Sequence, residues 1–382
     1  MSGVRFLHTA DWQLGMTRHF LEGEAQARYN DDRLAAVRMI GRLAAEHRCA
    51  FVLVCGDVFE SNQLGTKTIV RALDAMADIP VPVYLLPGNH DPLDAASVYR
   101  RDAFTSRCPP NVHPLTEAGL RVLQPGVELV AAPWPSKHPL GDLVAQACAG
   151  LGAAPPGTVR IVAGHGSLDT LNPDRDDPAT IAAAPLRQAI ADGVIHYTAL
   201  GDRHSRTDAG ILGRVWYSGT PEVTDYDEID PGHVLVVDLD TARCEVTAHR
   251  VGSWRFIAHD ARLDGPGDIA ELSDWLGSLP GKERTVVKLT LTGALTLADR
   301  LQLEEVLHER EHLFAAIEQW ERRSHLAVLP DDGSLGDFGL TGFAAGAFAE
   351  LRDAAAAPGE QAQTALAALS VLYRLSGAGS NR

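Results

Sequence analysis

Short apolar runs rich in β-branched and aromatic residues alternate with amphipathic stretches over the first 240 or so residues. The runs are Val4–Thr9, Phe51–Cys55, Val81–Leu86, Leu129–Ala132, Val159–Ala163, Tyr197–Leu200, Val215–Ser218 and Val234–Leu239. Most are followed by Gly, Pro or Asp, which is how strands end. In Arg33–His47, Leu34, Val37, Ile40, Leu43 and Ala44 fall on one face of a helix. Thr66–Ala77 repeats the pattern with Ile69, Val70, Leu73 and Met76. Early strands separated by helices predict parallel βαβ units. Later strands joined by turns such as Asp230-Pro231-Gly232 predict antiparallel pairs. The expectation is an α/β fold, a layered two-sheet domain flanked by helices.

The texture changes after about Val251. A helix over Ile269–Leu279, an alternating strand over Thr285–Thr292, a helical region over Leu297–Glu321 and a strand over His325–Leu329 predict a smaller α+β unit. Asp331–Gly339 is rich in Asp and Gly and reads as a linker. Ala-rich helical segments follow, with Leu340, Phe343, Phe348 and Leu351, then Leu366, Leu369, Leu372 and Tyr373 as their apolar positions. The expected domains are therefore 1–250, 251–330, and 331–382 for the linker and C-terminal helices.

Composition narrows the class. Hydrophobic residues at 45% and charged residues at 22% suit a water-soluble globular protein. Neither a signal peptide nor a membrane-spanning run is read, and the five cysteines lack CxxC spacing, so the expected setting is the cytoplasm with reduced thiols. The formal net charge of −16 argues against a chain that binds nucleic acid through a broad basic face of its own.

Candidate chemistry changes that picture. Five times a side chain able to bind metal follows a strand-like run: Asp11 and Gln13, Gly56-Asp57, Gly88-Asn89-His90-Asp91, Gly164-His165-Gly166, and Gly201-Asp202-Arg203-His204. The carboxyl ends of neighbouring strands converge on one crevice, and glycines let the backbone turn there. One Asp after a strand is usually a cap or a turn former, but five such events in order predict a shared site. Oxygen donors mixed with imidazole suit Mn²⁺, Mg²⁺ or Fe²⁺. Two such ions roughly 4 Å apart would activate water and clamp a phosphoryl group, with Asp57 the natural bridge.

The order of these motifs resembles the calcineurin-like metallophosphoesterases. More narrowly, "FLHTADWQLG", "VCGDVFES", "LLPGNHD", "AGHGSLD", "ALGDRHS" and "WYSGTPE" resemble the bacterial SbcD-type nuclease subunit, over residues 4 to about 240. The resemblance implies two divalent metal ions, Mn²⁺ first and Mg²⁺ or Fe²⁺ after it. By position, Asp11, Gln13, Asp57 and His204 would hold one ion, and Asp57, Asn89, His165 and Asp202 the other. His90 would face the scissile phosphate and Asp91 would orient it. Residues 251–330 would form a capping domain, and the C-terminal helices would dock on an SMC-like coiled-coil ATPase. DNA as substrate and a homodimer are further implications. Two positions depart from the family: Gln13 and Asp202 stand where histidine is usual, which predicts a harder, more oxygen-rich centre. Arg203, between two ligand positions, is expected near bound phosphate. Arg18, Lys67, Arg71, Arg100, Arg101, Trp134 and Lys137 lie near the motif loops, where they could contact a DNA backbone, but most read better as solvated charges or a packing aromatic. A phosphodiesterase or phosphatase acting on small molecules, and a weakly active scaffold, are the rival readings.

Overall fold

The computed structural model describes residues 3–171, 177–329, 343–355, 364–365 and 368. Leu340, Leu366, Leu369, Leu372, Tyr373 and the 331–339 linker lie outside the described residues. The chain divides into two compact units, Met1–His19 with Gln26–Trp254, and Phe20–Ala25 with Arg255–Arg382.

The first unit carries twelve strands among its described residues. In chain order they are β1 (Val4–Thr9), β2 (Val52–Cys55), β3 (Val83–Leu86), β4 (Val112–Pro114), β5 (Gly119–Gln124), β6 (Val127–Ala131), β7 (Val159–His165), β8 (Tyr197–Gly201), β9 (Thr207–Asp208), β10 (Val215–Tyr217), β11 (His233–Leu239) and β12 (Cys244–Arg250). They form two sheets, ordered β12-β11-β1-β2-β3-β4 and β5-β6-β7-β8-β10-β9. The helices are α1 (Gly23–Glu46), α2 (Thr66–Ala77), α3 (Asp102–Thr105), α4 (Leu143–Cys148) and α5 (Ala183–Ala191).

The layering follows from strand parity, since successive side chains point to opposite faces. Phe6, Phe51, Leu53, Leu129, Ile161 and Tyr197 meet between the sheets in one core. Leu7, Val52 and Val54 point the other way, onto Val37 and Ile40 of α1 and Ile69 and Met76 of α2. Val130 and Val162 face Val144 of α4 and Leu186 and Ile190 of α5. Strands buried on both faces read as continuous apolar runs, and the result is helices, sheet, sheet, helices. In the first sheet β1, β2, β3 and β4 run parallel. β11 pairs antiparallel with β1 and β12, but the Asp230-Pro231-Gly232 turn does not join an antiparallel pair: it leads from β10 in one sheet to β11 in the other, and β11 turns into β12 through residues 240–243. β10, expected to be antiparallel, runs parallel to β8, because the chain between them returns to the start of the sheet through the short β9.

α1 begins ten residues earlier than its apolar pattern predicts. Its inward row includes Tyr29 and Arg33, both buried, and the Arg33 guanidinium donates to Trp12 O and Tyr29 Oη. A charged residue filling a core position hides the periodicity.

The second unit contains β13 (Arg255–Leu263), α6 (Pro266–Ser278), β14 (Thr285–Thr296), α7 (Leu297–Glu311), β15 (Ala316–Gln319), β16 (His325–Leu329) and α8 (Phe343–Ala355). The long β14 pairs in parallel with β13 along its length, with β15 by its first half and with β16 by its second. The helical region expected to run to Glu321 stops at Glu311. Ala316–Gln319 is a strand instead, because β14 offers it a parallel edge from Val286 to Leu289. No helix among the described residues is long and apolar enough to cross a membrane.

Candidate metal centre

The five motif loops meet where the carboxyl ends of β1, β2 and β3 in one sheet approach those of β7 and β8 in the other. His165 Nδ1 reaches Cys55 O at 2.9 Å, and the Asp202 backbone N–H donates to both carboxylate oxygens of Asp11 at 3.1 and 3.2 Å. Glycine makes this approach possible. A Cβ on Gly201 would lie 1.8 Å from Cys55 O, and one on Gly56 would lie 1.9 Å from His165 Nδ1. Four predicted ligands, Asp11, Gln13, Asp57 and Asp202, have positive φ angles of 54, 42, 52 and 90°. Left-handed backbone at non-glycine residues costs about 1–3 kcal/mol each and marks positions the surroundings hold under constraint.

Asp11, Asp57 and His165 are fully buried, and their ligand atoms lie within 4.8 Å of one another. His165 Nε2 sits 2.7 Å from Asn89 Oδ1, 3.4 Å from Asp57 Oδ1 and 3.8 Å from Asp202 Oδ1. With its Nδ1–H given to Cys55 O, a neutral imidazole turns a lone pair toward three acceptors. Such a convergence needs a cation, either a second proton or a metal ion. Burial works against a proton there, but Asp57, then Asp11 and Asp202, hold the His165 pKa well above its ordinary value. Burial drives Asp57 upward too, yet the charge and bond of His165 bring it below the ordinary carboxylate value. Asp11 is pushed up to about 7 by burial, against the pull of His204 and His165.

The other half of the predicted set is assembled as well. Gln13 Nε2 lies 3.3 Å from His204 Nε2, and Gln13 Oε1 is buried with no hydrogen-bond partner. An unpartnered buried amide oxygen costs about 1–3 kcal/mol, which coordination would recover. His204 Nδ1 lies 2.7 Å from Thr224 Oγ1 and 2.9 Å from Glu228 Oε1, so its Nε2 is left for the centre. Burial disfavours its proton, but the Glu228 bond, then Asp11, raise its pKa to about 9. These observations fit two divalent ions. The donors are mostly oxygens, several are buried beside like charges, and one is orphaned.

His90 stands at the rim with 37% of its side chain exposed. Its backbone N–H donates to Asp57 Oδ1 at 2.9 Å, its Nδ1 bonds Glu60 O at 3.0 Å, and its Nε2 lies 3.9 Å from Asp57 Oδ2. Asp91 does not orient it. The Asp91 carboxylate accepts from Gly88 N, Phe59 N and Tyr99 Oη at 2.8, 3.1 and 2.7 Å, and so ties the Gly88–Asp91 turn to the Asp57 loop. Burial, then Asp57, push its pKa to about 6. The group that orients the His90 ring is the Glu60 carbonyl, which its Nδ1 bonds.

Arg203 lies beside the ligands, where its Nε donates to Thr207 Oγ1 at 2.9 Å. Trp134 is buried, and its Nε1 donates to His165 O at 2.8 Å, a packing role as expected. Arg100 and Arg101 are bound to backbone carbonyls, and Arg18 donates to Thr224 O. Sequence reasoning missed Glu60, Thr224 and Glu228. Glu228 belongs to the acidic run 225–230, where nothing distinguishes a buried carboxylate from a solvated one.

The model of the calcineurin-like phosphoesterase family matches residues 4–227, well over half of the chain. Among solved structures, TT1561 of Thermus thermophilus is similar at 9% identity and a TM-score of 0.40, over 65% of this chain and 100% of that one. A dimetal phosphatase from Danio rerio is similar at 13% identity and a TM-score of 0.37, over 64% of this chain and 98% of that one.

Proposed function

The chain belongs to the calcineurin-like phosphoesterase family, and from that premise we propose that it is a two-metal nuclease that hydrolyses phosphodiester bonds of DNA. One observation carries the hydrolytic reading: the buried Asp57 and the part-buried Asn89 and Asp202 converge as acceptors on His165 Nε2, beside the part-exposed His90. Asp11, Gln13, Asp57 and His204 would hold one ion, and Asp57, Asn89, His165 and Asp202 the other. When bound, the ions lower the pKa of the attacking water and neutralise phosphoryl charge. The protein's own residues do the rest. Glu60 O fixes the His90 ring by its Nδ1, leaving Nε2 to face substrate and to protonate or stabilise the leaving oxygen. Glu228 and Thr224 hold His204 in the tautomer that presents Nε2. Arg203 is placed to meet a phosphate oxygen. Gln13 and Asp202 in place of imidazoles favour Mn²⁺ or Mg²⁺.

Support for DNA as substrate comes from the motif strings shared with SbcD-type subunits and from a site that opens at a rim. His90 and Asp202 are 37% and 30% exposed, so a polymer backbone can reach them. The net charge of −16 fits a subunit whose DNA-binding surface comes from elsewhere, and the proposed partners are an SMC-like coiled-coil ATPase and a second copy of the chain.

Purified protein incubated with Mn²⁺ and end-labelled linear duplex or single-stranded DNA should release nucleotides, and chelator should stop the release. Cleavage of bis(p-nitrophenyl) phosphate with DNA left intact would transfer the assignment to small-molecule phosphodiesters, which the acidic surface favours. No hydrolysis of either would leave a scaffold.

A further inference from the structure

We propose that His308, Glu311 and His312 form a surface site for a transition-metal dication, with Zn²⁺ the expected occupant. The site belongs to the second unit and takes no part in the chemistry assigned above.

The rotation of α7 is set by its core side. Leu303 and Leu307 are buried against Leu272, Leu276 and Leu289, and Arg310 reaches Ser273 Oγ at 3.2 Å. Positions 308, 311 and 312 then face solvent, and all three are exposed. Spacing of i, i+3 and i+4 puts them on one face of one helical turn. His312 keeps helical backbone as the C-cap residue, so the register holds to the end. The two imidazole centroids are 5.0 Å apart, and Glu311 Oε1 lies 2.8 Å from His308 Nδ1. One donor atom from each of the three residues falls within 4.8 Å of the others. Two nitrogens on one tetrahedral zinc are roughly 3.4 Å apart. Small rotations of exposed side chains close that difference.

The donor chemistry selects the ion. Two imidazoles with one carboxylate suit Zn²⁺, Ni²⁺ or Cu²⁺ and disfavour the oxygen-seeking Mg²⁺ and Ca²⁺. Three ligands from one turn leave a coordination position for water. Glu305 and Glu309, exposed on the same helix, add negative potential that draws cations to this face. A plain His308–Glu311 ion pair would account for one contact; it would not bind a metal.

Zinc bound per chain, measured by equilibrium dialysis of the full-length protein at low micromolar free Zn²⁺, tests the proposal. The H308A/H312A variant should bind one equivalent fewer than the unaltered protein while phosphoester hydrolysis stays unchanged. E305A/E309A should keep the full count. An unchanged count in H308A/H312A overturns the proposal. So does an equal loss in E305A/E309A, which would mean diffuse attraction to acidic surface.

Discussion

Placing a methyl group on Gly56 should unseat His165. The residue has φ +91°, and a Cβ there would lie 1.9 Å from His165 Nδ1 and 2.4 Å from its Cγ. The ring cannot retreat, because its side chain is fully buried, its Nδ1 is bonded to Cys55 O, and the Trp134 ring packs edge-on with centroids 5.7 Å apart. Gly56→Ala therefore combines left-handed strain of about 1–3 kcal/mol with overpacking of about 1–3 kcal/mol. Gly193 supplies the control: its φ is +67°, and a Cβ there meets nothing within 4 Å, so Gly193→Ala carries only the backbone part. In denaturant unfolding, Gly56→Ala should lose about 2–6 kcal/mol and Gly193→Ala about 1–3 kcal/mol. Hydrolysis of bis(p-nitrophenyl) phosphate should fall at least ~100-fold in Gly56→Ala, the scale of a ligand displaced by about 1 Å, and stay near normal in Gly193→Ala. Equal stability losses, or an active Gly56→Ala protein, would refute the close packing of His165 on that turn.

His90→Ala should lower turnover about 10²–10⁴-fold while metal stoichiometry by dialysis stays unchanged. Loss of the metal as well would make His90 a ligand. Glu228→Gln keeps an acceptor near Thr224 but removes the charge behind His204, so Mn²⁺ affinity should weaken about 10–100-fold in a titration of activity. His8 lies between the sheets, 3.1 Å from Tyr197 Oη and 3.2 Å from Leu200 O, and burial lowers its pKa from 6.5 to about 3. The unfolded chain thus takes up the proton first as pH falls. The stability tied to neutral His8 is present above about pH 6.5 and is lost on the way to about 3, at up to about 1.4 kcal/mol per pH unit. Unfolding midpoints of wild type and His8→Gln should converge as pH drops from 7 to 4.5, and a constant gap would count against that reading.

Much of this protein was legible in the residues themselves. Apolar runs that lead within two residues into Gly or Asp mark β1, β2, β3, β7 and β8, because strand burial and turn chemistry are local properties. The same strand ends name Asp11, Asp57, Asn89, His165 and Asp202 as candidates, since ligand type is written in the side chain. Tertiary structure decided what those residues face. Asp91 bonds Gly88, Phe59 and Tyr99 rather than its neighbour His90, and a backbone carbonyl at Glu60 holds that ring; a carbonyl has no signature in sequence. Glu228 became a support for His204 only when the 220–230 loop folded back over it. Arg33 took a core position that an apolar pattern would exclude, and Ala316–Gln319 became a strand because β14 had a free edge. In each case the deciding partner is far away in the chain or belongs to the backbone, so the information resides in packing rather than in the order of side chains.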